Sequence, residues 1–156
     1  MFTLLKTDTQ TAARLGVLKT PHGEVKTPVF MPVGTQATVK AQTFDTLLDS
    51  GSQILLANTY HLLLRPGPEV FKSFGGIHKF TGWEKSFLTD SGGFQIFSLP
   101  HARNMKEEGA EFRSYVDGAI HLLSPETSIG TQVAIGSDIM MAIGCRKLPN
   151  CEARIR

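Results

Sequence analysis

Residues 87–95 of this 156-residue chain read FLTDSGGFQ, and this stretch decides the interpretation of the fold. It opens with a short, largely apolar run of the kind found in strands that are buried on both faces of a sheet. The carboxylate of Asp90 follows directly, and the two glycines after Ser91 allow the chain to turn tightly. The stretch therefore predicts a buried strand that delivers polar groups to the edge of a sheet.

Apolar runs of similar length recur along the chain, and helical patterns separate them. Three further runs are predicted to be strands: residues 29–33, which two prolines bracket, residues 54–57 and residues 137–142. Predicted helices, with capping residues and apolar spacing, cover residues 43–51, 69–74 and 124–136. Strands that alternate with helices indicate a parallel sheet with right-handed crossovers. About four parallel strands make half of an eight-stranded barrel or most of a small open sheet.

Two hairpins are predicted outside this alternation. Residues 12–25 lead into and out of the turn formers Pro21-His22-Gly23. Residues 111–123 hold Asp117-Gly118 between two alternating runs, a dipeptide typical of two-residue hairpin turns. The sequence thus predicts an α/β fold with an antiparallel hairpin at its N-terminus.

The composition is that of a globular protein and says little about a partner. Hydrophobic residues make up 41% and charged residues 19%, and 16 Lys and Arg against 14 Asp and Glu give a net charge of +2. Because no run of basic residues occurs, the charge neither requires nor excludes a nucleic acid. No stretch resembles a signal peptide or is long enough to span a bilayer, so we expect a soluble cytoplasmic protein.

Cysteine and histidine spacing does not predict a metal site. Cys145 and Cys151 fit neither a redox CxxC pair nor a zinc site with four ligands, so we interpret them as free thiols. His61 is the best placed histidine, directly after residues 58–60, but no HxH or HxxxH pair accompanies it. We therefore expect His61 to be a hydrogen-bonding structural residue rather than a ligand.

Asp90 is the strongest candidate for chemistry. Ligands of α/β sheets lie beyond the carboxyl ends of the strands, and burial there raises the pKa of a carboxyl group toward neutrality, where it can transfer protons. The competing interpretation is an Asx-turn in which Asp90 only turns the chain. Gly92-Gly93 would let backbone N–H groups approach a ligand, while Phe94 offers a stacking face and Gln95 an amide, a set that suits a flat heterocycle.

Six blocks of sequence resemble the tRNA-guanine transglycosylases, also named queuine or preQ1 tRNA-ribosyltransferases. They occur in the order of that family at residues 58–62 (NTYHL), 65–67 (RPG), 88–95 (LTDSGGFQ), 112–118 (FRSYVDG), 123–126 (LSPE) and 136–142 (GSDIMMA). The resemblance implies a (β/α)8 barrel that exchanges guanine at the wobble position of certain tRNAs for preQ1 or queuine, in queuosine biosynthesis. It also implies a covalent intermediate on an aspartate nucleophile and leaves a homodimer open as the assembly of the full-length enzyme.

The resemblance also assigns roles to individual residues. Asp90 matches the acid/base aspartate of the family, which handles protons on the departing and incoming bases. The base-binding segment corresponds to Ser91, Gly92, Gly93 and Phe94, with Phe94 stacking on the heterocycle. The approach to the ribose and base corresponds to Val33, Leu56 and Asn58.

Two departures from the family pattern bear on activity. Ile143-Gly144-Cys145 stands where the family has a Phe-Asp-Glu-Cys-like segment whose aspartate reads the base edge. The family's nucleophilic aspartate and its zinc site of three cysteines and one histidine find no match in this sequence. We therefore expect residues 1–142 to form the N-terminal half of the barrel, incomplete in this chain, and residues 143–156 to be a divergent tail. Zinc belongs to the full-length family, and its site is absent here.

The leading hypothesis is thus a tRNA-guanine transglycosylase in a truncated or inactive form. The alternative is a non-catalytic module that binds tRNA or a base together with a partner chain. A third, an unrelated α/β hydrolase or isomerase with Asp90 as base, is disfavoured by the ordered blocks and by the lack of a GxSxG elbow.

Overall fold

The structure is a computed structural model that describes residues 1–98 and 103–143. Nine strands and six helices occur in this part of the chain. In chain order they are β1 (Phe2–Thr7), β2 (Arg14–Thr20), β3 (Gly23–Thr27), α1 (Phe44–Asp49), β4 (Ile54–Ala57), α2 (Thr59–Leu64), α3 (Pro68–Phe74), α4 (Ile77–Thr81), β5 (Ser86–Thr89), α5 (Gly93–Ser98), β6 (Arg103–Met105), β7 (Ala110–Arg113), β8 (Ile120–Leu123), α6 (Pro125–Ile135) and β9 (Ile139–Met140).

A parallel sheet of β4, β5 and β9 forms the centre of the fold. Ala57 pairs with Thr89, and Thr89 pairs with Met140. On the outer side of β4, Val33 forms a parallel bridge with Leu56, so all four predicted apolar runs meet in one layer. The α/β prediction is confirmed, and the described residues do not close a barrel.

Two predicted strands differ from the observed ones. Residues 29–33 form no strand and contribute only the bridge at Val33. The prolines explain this, because Pro28 and Pro32 have no N–H to donate to a ladder. The strand predicted at residues 137–142 is reduced to Ile139–Met140.

The N-terminal hairpin is confirmed, and it belongs to a larger sheet. β2 pairs with β3 in antiparallel register around Leu18 and Val25. A further strand, β1, pairs with the other edge of β2. All six residues of this strand are exposed. A strand with no buried face does not need alternating apolar and polar residues, which is the pattern that identifies a strand in a sequence.

The second hairpin, β7 with β8, is confirmed, but its turn is longer than predicted. Residues 114–119 connect the strands, instead of the dipeptide Asp117-Gly118 alone. Ser114 N–H donates to Ala119 O, and the Ser114 hydroxyl accepts from Val116 N–H. These bonds stabilise a wide loop in place of a two-residue turn.

The three predicted helices are present with the expected end residues. Thr43 caps α1 and Ser124 caps α6, each accepting from the N–H three residues later. Gly136 ends α6 in the left-handed conformation at a φ of 73°. The short helices α2, α4 and α5 were not predicted, because five or six residues carry too little periodicity. None of the described helices is long and apolar enough to cross a membrane.

The main core lies between the central sheet and helices α1, α2, α3, α4 and α6. Trp83 is buried and donates through Nε1 to Ser86 O. Its buried companions are Ala37, Leu47, Leu55, Ala57, Leu62, Phe71, Ile77, Phe87 and Ile135.

A buried carboxylate ties the N-terminal hairpin to the amino end of the central sheet. Asp138 accepts hydrogen bonds from His22 Nδ1 at 2.7 Å, from His78 Nε2 at 3.0 Å and from Phe87 N–H at 2.8 Å. The two imidazole rings are stacked, with centroids 3.4 Å apart and planes 11° from parallel. Burial raises the pKa of Asp138, but the hydrogen bonds from His78, His22 and Phe87 outweigh it and lower the pKa to about 2.

We expect Asp138→Asn to lower the free energy of unfolding at neutral pH by about 2 kcal/mol, the equivalent of the pKa shift. The folded pKa lies below the ordinary value of 3.8, so this stabilisation is complete above pH 5 and is lost as the pH falls from about 4 toward 2. Urea unfolding of the parent chain and of Asp138→Asn from pH 7 to 2.5 measures the difference in their free energies of unfolding. Glu69→Gln, which removes an exposed carboxylate paired with Lys72, is the control and should change little. A difference that stays constant across this range would contradict the prediction.

Candidate active site

The carboxyl ends of the parallel strands bring the predicted polar residues to one rim. Asn58 follows β4 and Asp90 follows β5, and backbone bonds hold them beside their neighbours. Asn58 N–H donates to Thr35 O at 3.3 Å, and Asp90 N–H donates to Ala57 O at 3.1 Å. The polar ends predicted for separate strands are therefore adjacent in space.

Asn58 performs two tasks with one side chain. Its Oδ1 accepts from His61 N–H at 3.1 Å and so caps α2. Its Nδ2 donates to Asp90 Oδ2 at 2.6 Å. Because Asn58 is buried, the start of α2 and the position of the Asp90 carboxylate are fixed together.

Asp90 accepts hydrogen bonds at both carboxylate oxygens. Besides the Asn58 contact at Oδ2, its Oδ1 accepts from Thr59 N–H at 2.9 Å and from Gly92 N–H at 3.1 Å. The Thr59 hydroxyl also donates to the Asp90 carbonyl oxygen. The bond from Gly92 is an Asx-turn, so the turn and the placement of a carboxylate at the rim are both present in one residue. Sequence reasoning did not single out Thr59, whose only signal was its place in the NTYHL block.

Burial makes the Asp90 carboxyl a weaker acid than an ordinary aspartate. It raises the pKa of Asp90, and the hydrogen bonds from Thr59, Gly92 and Asn58, with the charge of His61, oppose this without cancelling it. A raised pKa shifts this carboxyl group in the direction that general acid–base catalysis requires.

The glycines after Ser91 act through their lack of a side chain. Gly92 has a φ of 75°, and a Cβ there would lie 3.0 Å from Tyr60 N and 3.1 Å from Tyr60 Cβ. The expectation that the Gly92 and Gly93 N–H groups are free for a ligand is wrong. They donate instead to Asp90 Oδ1 and to Ser91 Oγ, because the loop satisfies its own amides.

An exposed aromatic ring and a buried amide oxygen follow this loop on α5. Phe94 is 65% exposed, so its ring face is open beside the carboxylate loop. Among the described residues, Gln95 Oε1 is buried without a hydrogen-bond partner. Such an atom is available to a ligand that brings its own donor.

Val33 and Leu56 form the apolar part of the rim. They are joined through their parallel bridge, and Gly34 N–H donates to Leu56 O at 2.7 Å. Val33 is 54% exposed and Leu56 is partly buried, two residues before Asn58. The structure thus places Leu56 on β4 and Val33 at the bridge beside it, both close in the chain to the polar rim.

His61 makes a hydrogen bond of the kind that the sequence suggested. Its Nδ1 lies 2.9 Å from the hydroxyl oxygen of Tyr115, in the loop between β7 and β8. Burial lowers the pKa of His61 against the attraction of the Asp90 charge. Sequence reasoning did not pair His61 with Tyr115, since 54 residues separate them.

One group of three metal-ligand side chains comes together among the described residues, at the opposite end of the sheet: His22, His78 and Asp138. Their nitrogen–oxygen distances of 2.7 and 3.0 Å are those of hydrogen bonds. The lone pairs of two parallel imidazoles do not converge on a single ion, so we interpret the group as a hydrogen-bonded cluster. Cys145 and Cys151 lie outside the described residues, as does Gly144.

Comparison with known proteins identifies the family. A family model described as queuine tRNA-ribosyltransferase matches residues 8–156. The chain belongs to the queuine tRNA-ribosyltransferase family. The resemblance found in the six sequence blocks is thereby confirmed.

Curated members of the queuine tRNA-ribosyltransferase family are similar over most of this chain. The protein of that name from Thermoanaerobacter sp. (strain X514) is 57% identical over 141 residues, which are 90% of this chain and 38% of the relative. Those from Koribacter versatilis and Treponema denticola are 58% and 57% identical over 90% and 92% of this chain, and 37% and 38% of the relatives. The chain therefore spans little more than a third of their length.

We expect Gly92→Ala to destabilise the chain by about 1 kcal/mol more than Gly118→Ala. Both glycines have a φ near 75°, so both substitutions carry the same left-handed penalty of about 1–2 kcal/mol. Only at Gly92 would the new Cβ also crowd Tyr60, whereas nothing lies within 4 Å at Gly118. Chemical unfolding of the two variants measures the difference, and equal losses would show that the close approach carries no cost.

Proposed function

We propose that this chain carries the proton-transfer and base-stacking part of a tRNA-guanine transglycosylase. The reaction exchanges guanine at the wobble position of tRNA for preQ1 or queuine, in the cytoplasm. The observation that carries the proposal is the Asp90 carboxylate, held by three donors beside the exposed Phe94 ring and with a raised pKa. Membership in the queuine tRNA-ribosyltransferase family supports it.

Each rim residue has a task in this proposal. Asp90 protonates the departing guanine and takes a proton from the incoming base, which requires a pKa nearer neutrality than that of a free aspartate. Phe94 stacks on the heterocycle, and the bare backbone of Gly92 and Gly93 leaves room for its edge. Ser91 flanks the base. The target nucleotide reaches this rim after it leaves its stack in the tRNA.

Asn58, Val33 and Leu56 complete the proposed site. Asn58 holds the Asp90 carboxylate through its side-chain amide, while Val33 presents an exposed apolar surface for the ribose. Leu56 is partly buried between them on β4. An apolar wall next to a carboxylate matches a substrate that has a sugar on one side and a polar base on the other.

Residues 1–142 are proposed as the N-terminal part of a (β/α)8 barrel, with residues 143–156 as a divergent tail. The observed parallel order of Val33, β4, β5 and β9 agrees with consecutive strands of such a barrel. The family resemblance assigns the nucleophile and the zinc site to the part of the relatives that this chain does not match.

We expect the 156-residue chain alone to incorporate no labelled guanine into tRNA. We expect a chimera to be active in which residues 1–142 replace the matched N-terminal part of the Thermoanaerobacter relative. In that chimera Asp90→Asn should lower the exchange rate by about 10²–10⁴-fold, because the proton-transfer group is lost. Radioactivity in filter-bound tRNA measures the exchange rate of the isolated chain, of the chimera and of its Asp90→Asn variant.

The matched control is Asp117→Asn, which alters an exposed carboxylate in the loop between β7 and β8. It should leave the rate of the chimera unchanged. Incorporation by the isolated chain would overturn the assignment of the nucleophile to another segment. A chimera that keeps its rate after Asp90→Asn would overturn the role of Asp90. Binding of tRNA by the isolated chain without exchange would favour a module that works with a partner chain.

Phe94→Ala in the chimera should raise KM for guanine by about tenfold through the loss of stacking. Phe94→Tyr keeps an aromatic face and should stay within about twofold of the parent. Initial rates at a series of guanine concentrations give both values. If the alanine and tyrosine variants have the same KM, Phe94 does not stack on the base.

A further inference from the structure

Helix α6 buries polar side chains where an amphipathic helix would be expected to bury apolar ones. Of its five buried residues, Ser128, Thr131 and Gln132 are polar. Ser128 and Gln132 are four residues apart and therefore share one helix face. Both are fully buried, so each of their polar atoms needs a partner inside the protein.

Gln132 satisfies all four hydrogen-bonding positions of its amide. Its Oε1 accepts from Thr89 Oγ1 at 2.8 Å and from Met141 N–H at 3.0 Å. Its Nε2 donates to Met141 O at 3.0 Å and to Ser128 Oγ at 3.2 Å. The amide thus pairs with the backbone of Met141 as a neighbouring strand would, at the point where β9 ends.

Ser128 extends the same contact to the loop after β5. Its hydroxyl accepts from Gln132 Nε2 and donates to Ser91 O at 2.8 Å. Ser91 lies between Asp90 and Gly92, whose N–H donates to the Asp90 carboxylate. One helix face is therefore bonded to the backbone of two segments. It contacts residues 90–93, after β5, at Ser91, and residues 141–143, after β9, at Met141.

The two segments lie close to each other. A Cβ built on Gly93 would lie 3.8 Å from Ile143 Cγ2, an ordinary van der Waals distance for a side chain that glycine does not carry. Ile143 packs against the cluster that contains Tyr60 and Leu123. The distance between the two segments is therefore set by the hydrogen bonds from α6 and by the packing of Ile143 against this cluster.

We propose that Ser128 and Gln132 are positioning residues, which hold the loop of Asp90 and the segment after β9 at a fixed separation and so shape the base pocket. Its description as a base pocket rests on the proposed function. A fully satisfied buried polar network defines one arrangement of the groups that it joins, since any shift leaves a buried polar atom unpaired. Apolar side chains at these positions would pack against the two segments without fixing their backbone orientation.

The position of the Asp90 carboxylate follows from this contact. If Ser91 O is released, the peptide between Ser91 and Gly92 is free to rotate, and its N–H no longer stays on Asp90 Oδ1. That hydrogen bond favours the charged carboxylate. Loss of the hydrogen bond from Ser128 to Ser91 O should therefore be detectable as a change at the Asp90 carboxyl group.

Ser128→Ala and Gln132→Met in the full 156-residue chain test the proposal. Both variants should raise the midpoint of the Asp90 carboxyl titration, followed by ¹³C NMR. They should also speed hydrogen exchange at the Gly92 amide by about tenfold or more. Urea unfolding of the same samples separates these local effects from a general loss of stability.

Thr131→Val is the matched control. Its hydroxyl is also buried on α6, but the hydrogen bond that it donates goes to Thr127 O inside the helix rather than to either segment. It should leave the Asp90 midpoint and the Gly92 exchange rate at their parent values, whatever its effect on stability.

Two outcomes would overturn the proposal. One is a folded Ser128→Ala protein in which the Asp90 midpoint and the Gly92 exchange rate are unchanged; this conservative variant keeps the test decisive if Gln132→Met does not fold. The other is an equal change in Thr131→Val, which would mean that any loss on α6 has the same effect. The measurement uses no base and no tRNA, so its result does not depend on whether the chain takes part in base exchange.

Discussion

The register between β4 and β5 is the constraint on which the candidate site depends. Ala57 lies opposite Thr89, so the next residue of each strand, Asn58 or Asp90, reaches the rim at the same height. Their side chains then meet at 2.6 Å, and the N–H of Thr59 completes the contact. A slip of one residue would turn each side chain to the opposite face of the sheet and would separate these groups.

Two aspartates at opposite ends of this sheet show how the surroundings set acidity. Asp138, at the amino end, is buried but receives two imidazoles and an N–H, and its pKa falls to about 2. Asp90, at the carboxyl end, receives an amide and two backbone N–H groups, and burial still raises its pKa. The first is suited to holding the hairpin in place, because it stays ionised at every physiological pH. The second is suited to exchanging protons.

Helix α6 links this chemistry to the packing of the fold. One face of this helix contacts backbone of the segments after β5 and β9, through Ser128 and Gln132. The helix therefore contributes to the geometry of the rim as well as to the core through Ile135. The rim is thus supported from α2 through Asn58 and from α6 through Ser128.

Local patterns in the sequence were sufficient for a large part of this description. The caps at Thr43 and Ser124 and the apolar runs of β4 and β5 act over a few residues, so the chain itself reveals them. The rim position of Asp90 followed from the same reasoning, because it directly succeeds a buried strand. The family followed from six ordered blocks, which a family model over residues 8–156 supports independently.

Tertiary structure alone decided the contacts between distant residues. The pairing of β1 with β2, the bond from His61 to Tyr115 and the contact of Ser128 with Ser91 join residues with no periodic relation along the chain. The engaged amides of Gly92 and Gly93 were hidden for the same reason, since a glycine pair does not reveal which acceptor its N–H groups will find. The sequence determined which groups reach the rim; the packing of α2 and α6 against the sheet determined how they are held, because hydrogen bonds depend on distances that only the folded chain defines.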